Sequence, residues 1–554
     1  MPDRFPVYPF DHDHEASPRG LAEVLGGKGA GLAEMTSVLG LPVPPGFTIG
    51  IPVCREYRSG GWPEGLDAVL AEQCIRLGEK TGSRLGDDQE PLLLAVRSGS
   101  VKSMPGMLDT VLDLGLNPMT VEALARSSGD EVFAWDSYRR FLRMYGTTVL
   151  GCVPEALEPI TGRGHGIDVL RAEVSRLRAR IAEIARPVPD DPALQLRQAV
   201  EAVFRSWDSP RARAYREREG IPGDLGTAVN VQAMVFGNRG DDSGTGVVFT
   251  RDPSTGERVP YGDFLPRAQG EDVVAGGAHT MPVATMANSM PGIWRELQDV
   301  LHRLEVHYRD MCDVEFTVER GSLYLLQTRV GKRSPVAAVR CAVQMAGEPK
   351  IALTPAEAVE RVPHALRLEA RRNCLAEAGF GAVTRRPLTV GLGASPGRVS
   401  GRAVFSAEDA AEDEGEDPIV LVRPDTSPDD VAGMAASAGV LTGTGGLVSH
   451  AAVVARGWGI PAVVGAGELR IGDNGAELAD GTRIEPGEIV TIDGFTGEVW
   501  RGTVNAEAIA AELEADIVAT RLPELVTLAG WATESALVYH NRTWHKLGDH
   551  SRIE

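Results

Sequence analysis

The chain is predicted to adopt a mixed α/β and α+β multidomain fold, and three observations carry that prediction. Its 554 residues exceed what one core can organise and imply roughly three to four domains. Blocks of short apolar strands alternate with blocks of 3.6-periodic helix. The composition changes near Gly391, beyond which short strands and small helices alternate closely. Apolar residues at 43% suffice for several cores, and charged residues at 24% are ordinary for a soluble protein.

Near the start, Gly26-Gly27-Lys28-Gly29-Ala30-Gly31 reads as a glycine-rich turn ahead of a helix over residues 32–39. Residues 47–49 and 92–96 read as strands. A helical block follows, over 121–125, 133–145, 169–184 and 194–207, with Pro187 and Pro189 in a loop. Strands return at 228–235, 246–250, 314–318 and 323–328. Residues 335–388 are mostly helical, broken at Pro355, Pro363 and Pro387. The acidic stretch 407–417 reads as a solvated loop or surface helix. Strands at 419–422, 438–441, 462–464 and 489–492 then alternate with small helices. A helix over 506–519 and a polar tail over 545–554 complete the pattern.

The net charge of −21 argues against nucleic-acid or anionic-membrane partners, which need basic surfaces. It leaves room for an anionic substrate held by a local basic cluster. The six cysteines are scattered and form no Cys-x-x-Cys pair, which fits a reducing cytoplasm. The first residues have no apolar signal region, and no apolar run reaches the ~18 residues of a membrane span. A cytoplasmic location is expected.

The chemistry concentrates on a few residues. His450 follows an apolar strand and the glycine turn Thr442-Gly443-Thr444-Gly445-Gly446, and with Ser449 it opens a short helix ending at Gly457 and Gly459. Backbone N–H groups at such a helix start attract anions, and imidazole is a nucleophile near neutral pH. Lys28, in its own glycine turn, supplies a point charge to phosphate; Gly29 follows it, so the turn is not a Walker loop. Arg97, at the end of a strand, is a phosphate clamp or a member of a structural ion pair. Lys102, Ser103, Met104, Pro105, Gly106 and Met107 read as a hinged lid or a surface loop. Asp313 and Glu315 lie two apart on a strand and so share a face, as do Gln327 and Arg329 on the next. Glu315 suits Mg²⁺ and Arg329 suits phosphate; the other reading of the set is an internal ion-pair cluster.

Five segments together resemble the pyruvate phosphate dikinase family. They are Gly26 through Met35, Ser103 through Met107, Gly270-Glu271-Asp272-Val273-Val274-Ala275-Gly276, Leu326-Gln327-Thr328-Arg329, and Gly445 through Ala452. The resemblance runs in order to about residue 540. It implies an ATP-grasp nucleotide-binding domain over 1–334, with a helical insertion at about 115–220, then a helical linker over 335–388. A swivelling phosphohistidine α/β domain over 389–505 and a C-terminal helix and tail over 506–554 follow. It also implies that Lys28 and Arg97 contact ATP phosphates, that Asp313, Glu315, Gln327 and Arg329 belong to the nucleotide site, and that Glu315 and Gln327 hold Mg²⁺. Gln232 and Glu271 match residues near the base and ribose, Lys102 to Met107 match the lid, and His450 matches the phosphorylated histidine.

Two departures from the family stand out. Val448 occupies the position where dikinases usually carry a regulatory threonine. Leu522 to Ala532 resembles the approach to the family's (β/α)₈ barrel, yet a barrel needs about 200 or more residues, and the sequence ends at Glu554. The expected activity is therefore transfer from ATP to His450, with release of AMP and with inorganic phosphate or water taking the γ-phosphoryl. Phospho-His450 is expected to serve a non-pyruvate acceptor. The alternatives are one subunit of a split dikinase, with the barrel on another chain, and a non-catalytic ATP-binding regulator or scaffold.

Overall fold

The computed structural model describes residues 4–102, 104, 107–158, 166–270, 272, 280–379, 386–472, 474–504 and 510–533. The chain forms two compact units. The first comprises Met1–Gly244, Pro266–Gln269 and Glu315–Arg329, and the second Thr245–Leu265, Gly270–Val314 and Val330–Glu554.

In the first unit, β1 (Val7–Pro9), β2 (Gly46–Ile49), β3 (Leu94–Gly99), β4 (Thr110–Leu114) and β5 (Ala228–Ala233) form an antiparallel sheet in the order β1-β2-β5-β3-β4. Strand periodicity divides its faces. Phe47, Ile49, Val96, Val229 and Val231 enter one apolar core with Phe141, Leu177 and Val203 from the helices Glu131–Met144, Ile167–Ile184 and Pro192–Ser206. The opposite face carries Thr48, Asn230 and Arg97, which are cross-strand partners. The helix Ala22–Ala33 lies on that polar face, kinked at Gly26 (φ 68°, ψ 163°). Here the structure corrects the expected order of turn and then helix. The glycine run is itself helical after the kink, and residues 34–38, expected to be regular helix, form a wider π-type turn.

The second sheet has the order β10-β9-β6-β7-β8, built from β6 (Gly244–Phe249), β7 (Tyr261–Pro266), β8 (Met281–Pro282), β9 (Cys312–Glu319) and β10 (Ser322–Val330). The β9–β10 hairpin turns through Arg320 and Gly321, both with positive φ, as tight two-residue hairpin turns require. In the second unit Arg251 is fully buried. Its guanidinium pairs with Glu305 at 2.8 Å and with Glu348, just past the helix Pro335–Gly347, at 2.6 Å. Helices Pro335–Gly347, Pro355–Arg361, His364–Gly379 and Ala511–Arg521 share an apolar cluster with Leu522, Leu525 and Leu528. The helix expected over 506–519 is thus Ala511–Arg521, with residues 505–509 outside the described set. The expected tail over 545–554 also lies outside it.

The second unit also contains an eight-stranded sheet. Its members are β11 (Thr389–Val390), β12 (Leu392–Ser395), β13 (Arg398–Val404), β14 (Ile419–Arg423), β15 (Gly439–Thr442), β16 (Ala462–Val464), β20 (Ile489–Asp493) and β21 (Glu498–Arg501). The pairs β13–β14, β14–β15 and β15–β16 are parallel. Parallel strands are buried on both faces, which explains why β14 reads as an unbroken apolar run. Val420 and Val422 enter one cluster, Ile419 and Leu421 the other. A three-stranded sheet, β17 (Leu469–Gly472), β18 (Gly475–Leu478) and β19 (Arg483–Ile484), adds Leu469, Ala476, Leu478 and Ile484 to the first of these. The helix His450–Trp458 connects β15 to β16. His450 therefore stands beyond the carboxyl end of a parallel strand, where α/β sheets place their ligand sites. Gly459, in left-handed conformation, ends this helix; Gly457, expected to help end it, lies inside. Among the described residues no helix is long and apolar enough to cross a membrane.

Candidate functional site

Lys28 occupies the first turn after the kink at Gly26. That kink admits only glycine, because a Cβ there would lie 1.7 Å from the Gly99 carbonyl oxygen. The Gly27 N–H donates to the Ser100 carbonyl at 2.9 Å, which fixes the turn to the end of β3. Burial and the neighbouring Arg97 press the Lys28 ammonium down to about 7; Glu315 acts against them, and Arg329 with them.

Arg97 donates to the Glu315 carboxylate at 2.6 Å through Nη2 and to the Leu326 carbonyl at 3.3 Å through Nη1. Burial alone would raise the Glu315 pKa. Arg97, then Lys28 and Arg329, overcome it and hold the carboxyl down to about 2. The structure thus brings Lys28, Arg97, Glu315 and Arg329 into one electrostatic set in the first unit. Three cations face one carboxylate, a set that attracts a polyanion. Of the two readings the sequence allowed for Arg97, the structure shows the ion pair. Gln327 is buried on β10, two residues before Arg329.

The remaining predicted residues are placed as follows. Gln232 is buried on β5, and its amide donates to the Pro44 carbonyl at 3.0 Å. Lys102 is exposed, whereas Met104 and Met107 are buried. Ser103, Pro105, Gly106 and Glu271 lie outside the described residues. Asp313 is buried in the second unit, in the field of Arg456, while Glu315, two residues on, belongs to the first.

His450 sits in the second unit. Its Nδ1 is 3.1 Å from the Thr426 hydroxyl. Its Nε2 is buried with no hydrogen-bond partner among the described residues. Burial lowers its pKa to about 4, with Asp430 opposing only in part, so the ring is neutral at physiological pH. A neutral imidazole with one tethered and one free nitrogen is a nucleophile with a defined reacting atom. Ser449 begins the helix without capping it.

The amides ahead of this helix were expected to be exposed to anions. Instead, Val448 N–H donates to Asp263 on β7 at 3.1 Å. Gly446 permits that approach, since a Cβ on it would lie 2.2 Å from Asp263 Oδ2 and 2.6 Å from Thr280 Oγ1. Arg456, buried on the same helix, donates to Ala394 at 2.7 Å and to Leu447 at 3.1 Å and so ties the loop to β12.

Sequence reasoning missed Asn230, Asp263, Thr426 and Arg456. Gly262, Asp263 and Pro266 disguise β7 as a turn. Thr426 is five residues before the start of the helix Val431–Ala436 that follows β14 and has no signature of its own. Asn230 did have one, a polar residue alternating with valines in Ala228-Val229-Asn230-Val231-Gln232.

Comparison with known proteins places these features in a family. Residues 58–291 and 286–348 match the model described as pyruvate phosphate dikinase, AMP/ATP-binding domain, and residues 415–497 match PEP-utilising enzyme, mobile domain. Pyruvate, phosphate dikinase of Rhizobium meliloti (strain 1021) is 47% identical over 510 residues, covering 87% of this chain and 56% of the relative. That of Clostridium symbiosum is 43% identical over 524 residues, covering 90% and 58%. The chloroplastic pyruvate, phosphate dikinase 1 of Arabidopsis thaliana is 43% identical over 544 residues, covering 95% and 55%. The chain thus spans little more than half the length of these relatives. Within that span, a nucleotide-binding match followed by a mobile-domain match shows that the chain belongs to the pyruvate phosphate dikinase family.

Proposed function

We propose that the chain performs the ATP half of dikinase chemistry, with His450 as the phosphoryl carrier. The observation that carries this reading is the Nε2 of His450 at a helix start, buried, neutral and without a hydrogen-bond partner among the described residues. Its lone pair forms a bond to the β-phosphorus of ATP as the bond to the α-phosphate oxygen breaks and AMP leaves; inorganic phosphate or water takes the γ-phosphoryl. Lys28, Arg97 and Arg329 stabilise the charge on the transferring phosphates. The Thr426 contact at Nδ1 holds the ring so that Nε2 is the reacting atom. The reading assigns nucleotide binding to residues 1–334 and carriage to residues 389–505.

Mg²⁺ fits the oxygen donors present. Glu315 is a quarter exposed at its side chain, and Gln327 lies on the neighbouring strand. No cluster of three or more metal-ligating side chains occurs among the described residues, so polyphosphate oxygens would complete the shell. Bound there, the ion would neutralise phosphate charge. Glu315 must first exchange its Arg97 partner.

The names of the relatives include pyruvate, and a non-pyruvate acceptor draws no support from them. Phospho-His450 then serves pyruvate bound on a barrel in cis or on another chain, or a different acceptor. Incubation with Mg²⁺ and β-³²P-ATP, and separately with γ-³²P-ATP, tests the first half. Acid-labile label from the β position, lost in His450→Ala, is expected; no label from either position would leave only the scaffold. Adding pyruvate to labelled protein then tests the acceptor.

A further inference from the structure

Asn230 lies at the centre of β5 and is fully buried. Its cross-strand partners are Thr48 and Arg97, so the three side chains form a row on one sheet face. That face carries the Lys28 turn. A Cβ on Gly29 would lie 2.9 Å from Asn230 Oδ1 and 2.7 Å from Thr48 Oγ1. A Cβ on Gly99 would lie 2.6 Å from Asn230 Nδ2 and 3.4 Å from the Lys28 Cβ. Oδ1 accepts from the Thr48 hydroxyl at 2.9 Å, which orients the amide. Nδ2 has no hydrogen-bond partner among the described residues.

A buried donor left unmet is rare and costly. Here it lies on the side of Lys28 and Arg97, so a donor-only edge underlies an anion-binding turn. We propose that Asn230 is a positioning residue for the nucleotide polyphosphate, seating the Lys28 turn and turning only N–H groups toward the phosphate side. This rests on the reading of Lys28 as a phosphate-binding residue. Asparagine is specific to the task. Its isostere aspartate would put an acceptor and a negative charge beneath Lys28, and an aliphatic side chain would leave Thr48 without its acceptor.

The test measures ATP and adenosine binding by calorimetry in a His450→Ala background, where transfer cannot follow binding. Asn230→Asp is expected to weaken ATP binding about tenfold or more at pH 8, with adenosine binding by the folded variant nearly unchanged. The defect should shrink as the pH falls and the new carboxyl protonates. Should Asn230→Asp not fold, Thr48→Val, which frees the amide to rotate, is expected to weaken ATP selectively by about threefold. Unchanged ATP binding in the folded variant, or ATP and adenosine weakened in parallel, overturns the proposal. Lys28→Met separates the two levels. If it binds ATP normally, the reading of the Lys28 site fails and Asn230 with it. If it binds poorly while Asn230→Asp is normal, only the Asn230 inference fails.

Discussion

Arg97 Nη2 and a Glu315 carboxylate oxygen stand 2.6 Å apart, so each occupies the other until the pair opens. The pair also sets a pH dependence. The Glu315 pKa falls from an ordinary 4.5 to about 2 on folding, so its contribution to stability is complete above 4.5 and is lost as the pH falls toward 2. In Glu315→Gln the stability curve should flatten across that window, which acid titration followed by circular dichroism will show. The same variant should need about tenfold more Mg²⁺ for half-maximal labelling of His450.

Lys28 makes an opposite kind of prediction. Its ammonium is pressed from 10.5 to about 7, so at pH 8 much of it is neutral until a polyanion arrives. ATP binding should draw a proton from solution. Calorimetry in buffers of different ionisation enthalpy should show net uptake at pH 8 that fades below pH 6 and disappears in Lys28→Met. Without ligand, stability should rise with pH between about 7 and 10.5, because the unfolded chain binds the extra proton there.

Thr426 holds the Nδ1 edge of His450. Thr426→Val should slow β-phosphoryl labelling about 10- to 100-fold while ATP affinity stays unchanged. A parallel loss of ATP affinity would assign Thr426 to folding instead. Because the ring titrates at about 4 rather than 6.5, the labelling rate of the parent should show no His450 inflection near pH 6.5.

Gly446→Ala places a methyl group 2.2 Å from Asp263 Oδ2. The carboxylate must move and the Val448 N–H loses its acceptor, a cost of about 1–3 kcal/mol. Labelling of His450 should fall at least tenfold, while ATP binding by the folded protein should not change.

The sheet around His450 was legible in detail. The strands expected at 419–422, 438–441, 462–464 and 489–492 appear within one residue of those bounds; the first three pair in parallel, and parallel strands buried on both faces leave unbroken apolar runs, while β20 pairs antiparallel on both sides. The grouping of Arg97, Glu315 and Arg329 was legible because all three stand on strands whose alternation assigns faces. The glycine run at Lys28 was misread as a turn, since glycine disfavours helix locally and only close packing on Thr48 and Asn230 explains its presence in one. Asp263 was invisible because its partner, the Val448 amide, is 185 residues away. No local pattern encodes a backbone donor at that distance.

Val448 does more than fill a position where relatives of this family usually have a hydroxyl. Its side chain is buried with Phe249, Met311, Cys341 and Met345. Withdrawing a valine from such a seat costs about 1.5–3 kcal/mol, a bias of roughly 10- to 140-fold toward the seated loop. The loop ahead of His450 therefore rests in an apolar detent as well as on a carboxylate. A catch of this kind ignores ionic strength and loosens on cooling. Salt and temperature then become separate handles, one acting on the charges of Lys28, Arg97, Glu315 and Arg329 and the other on the catch ahead of His450.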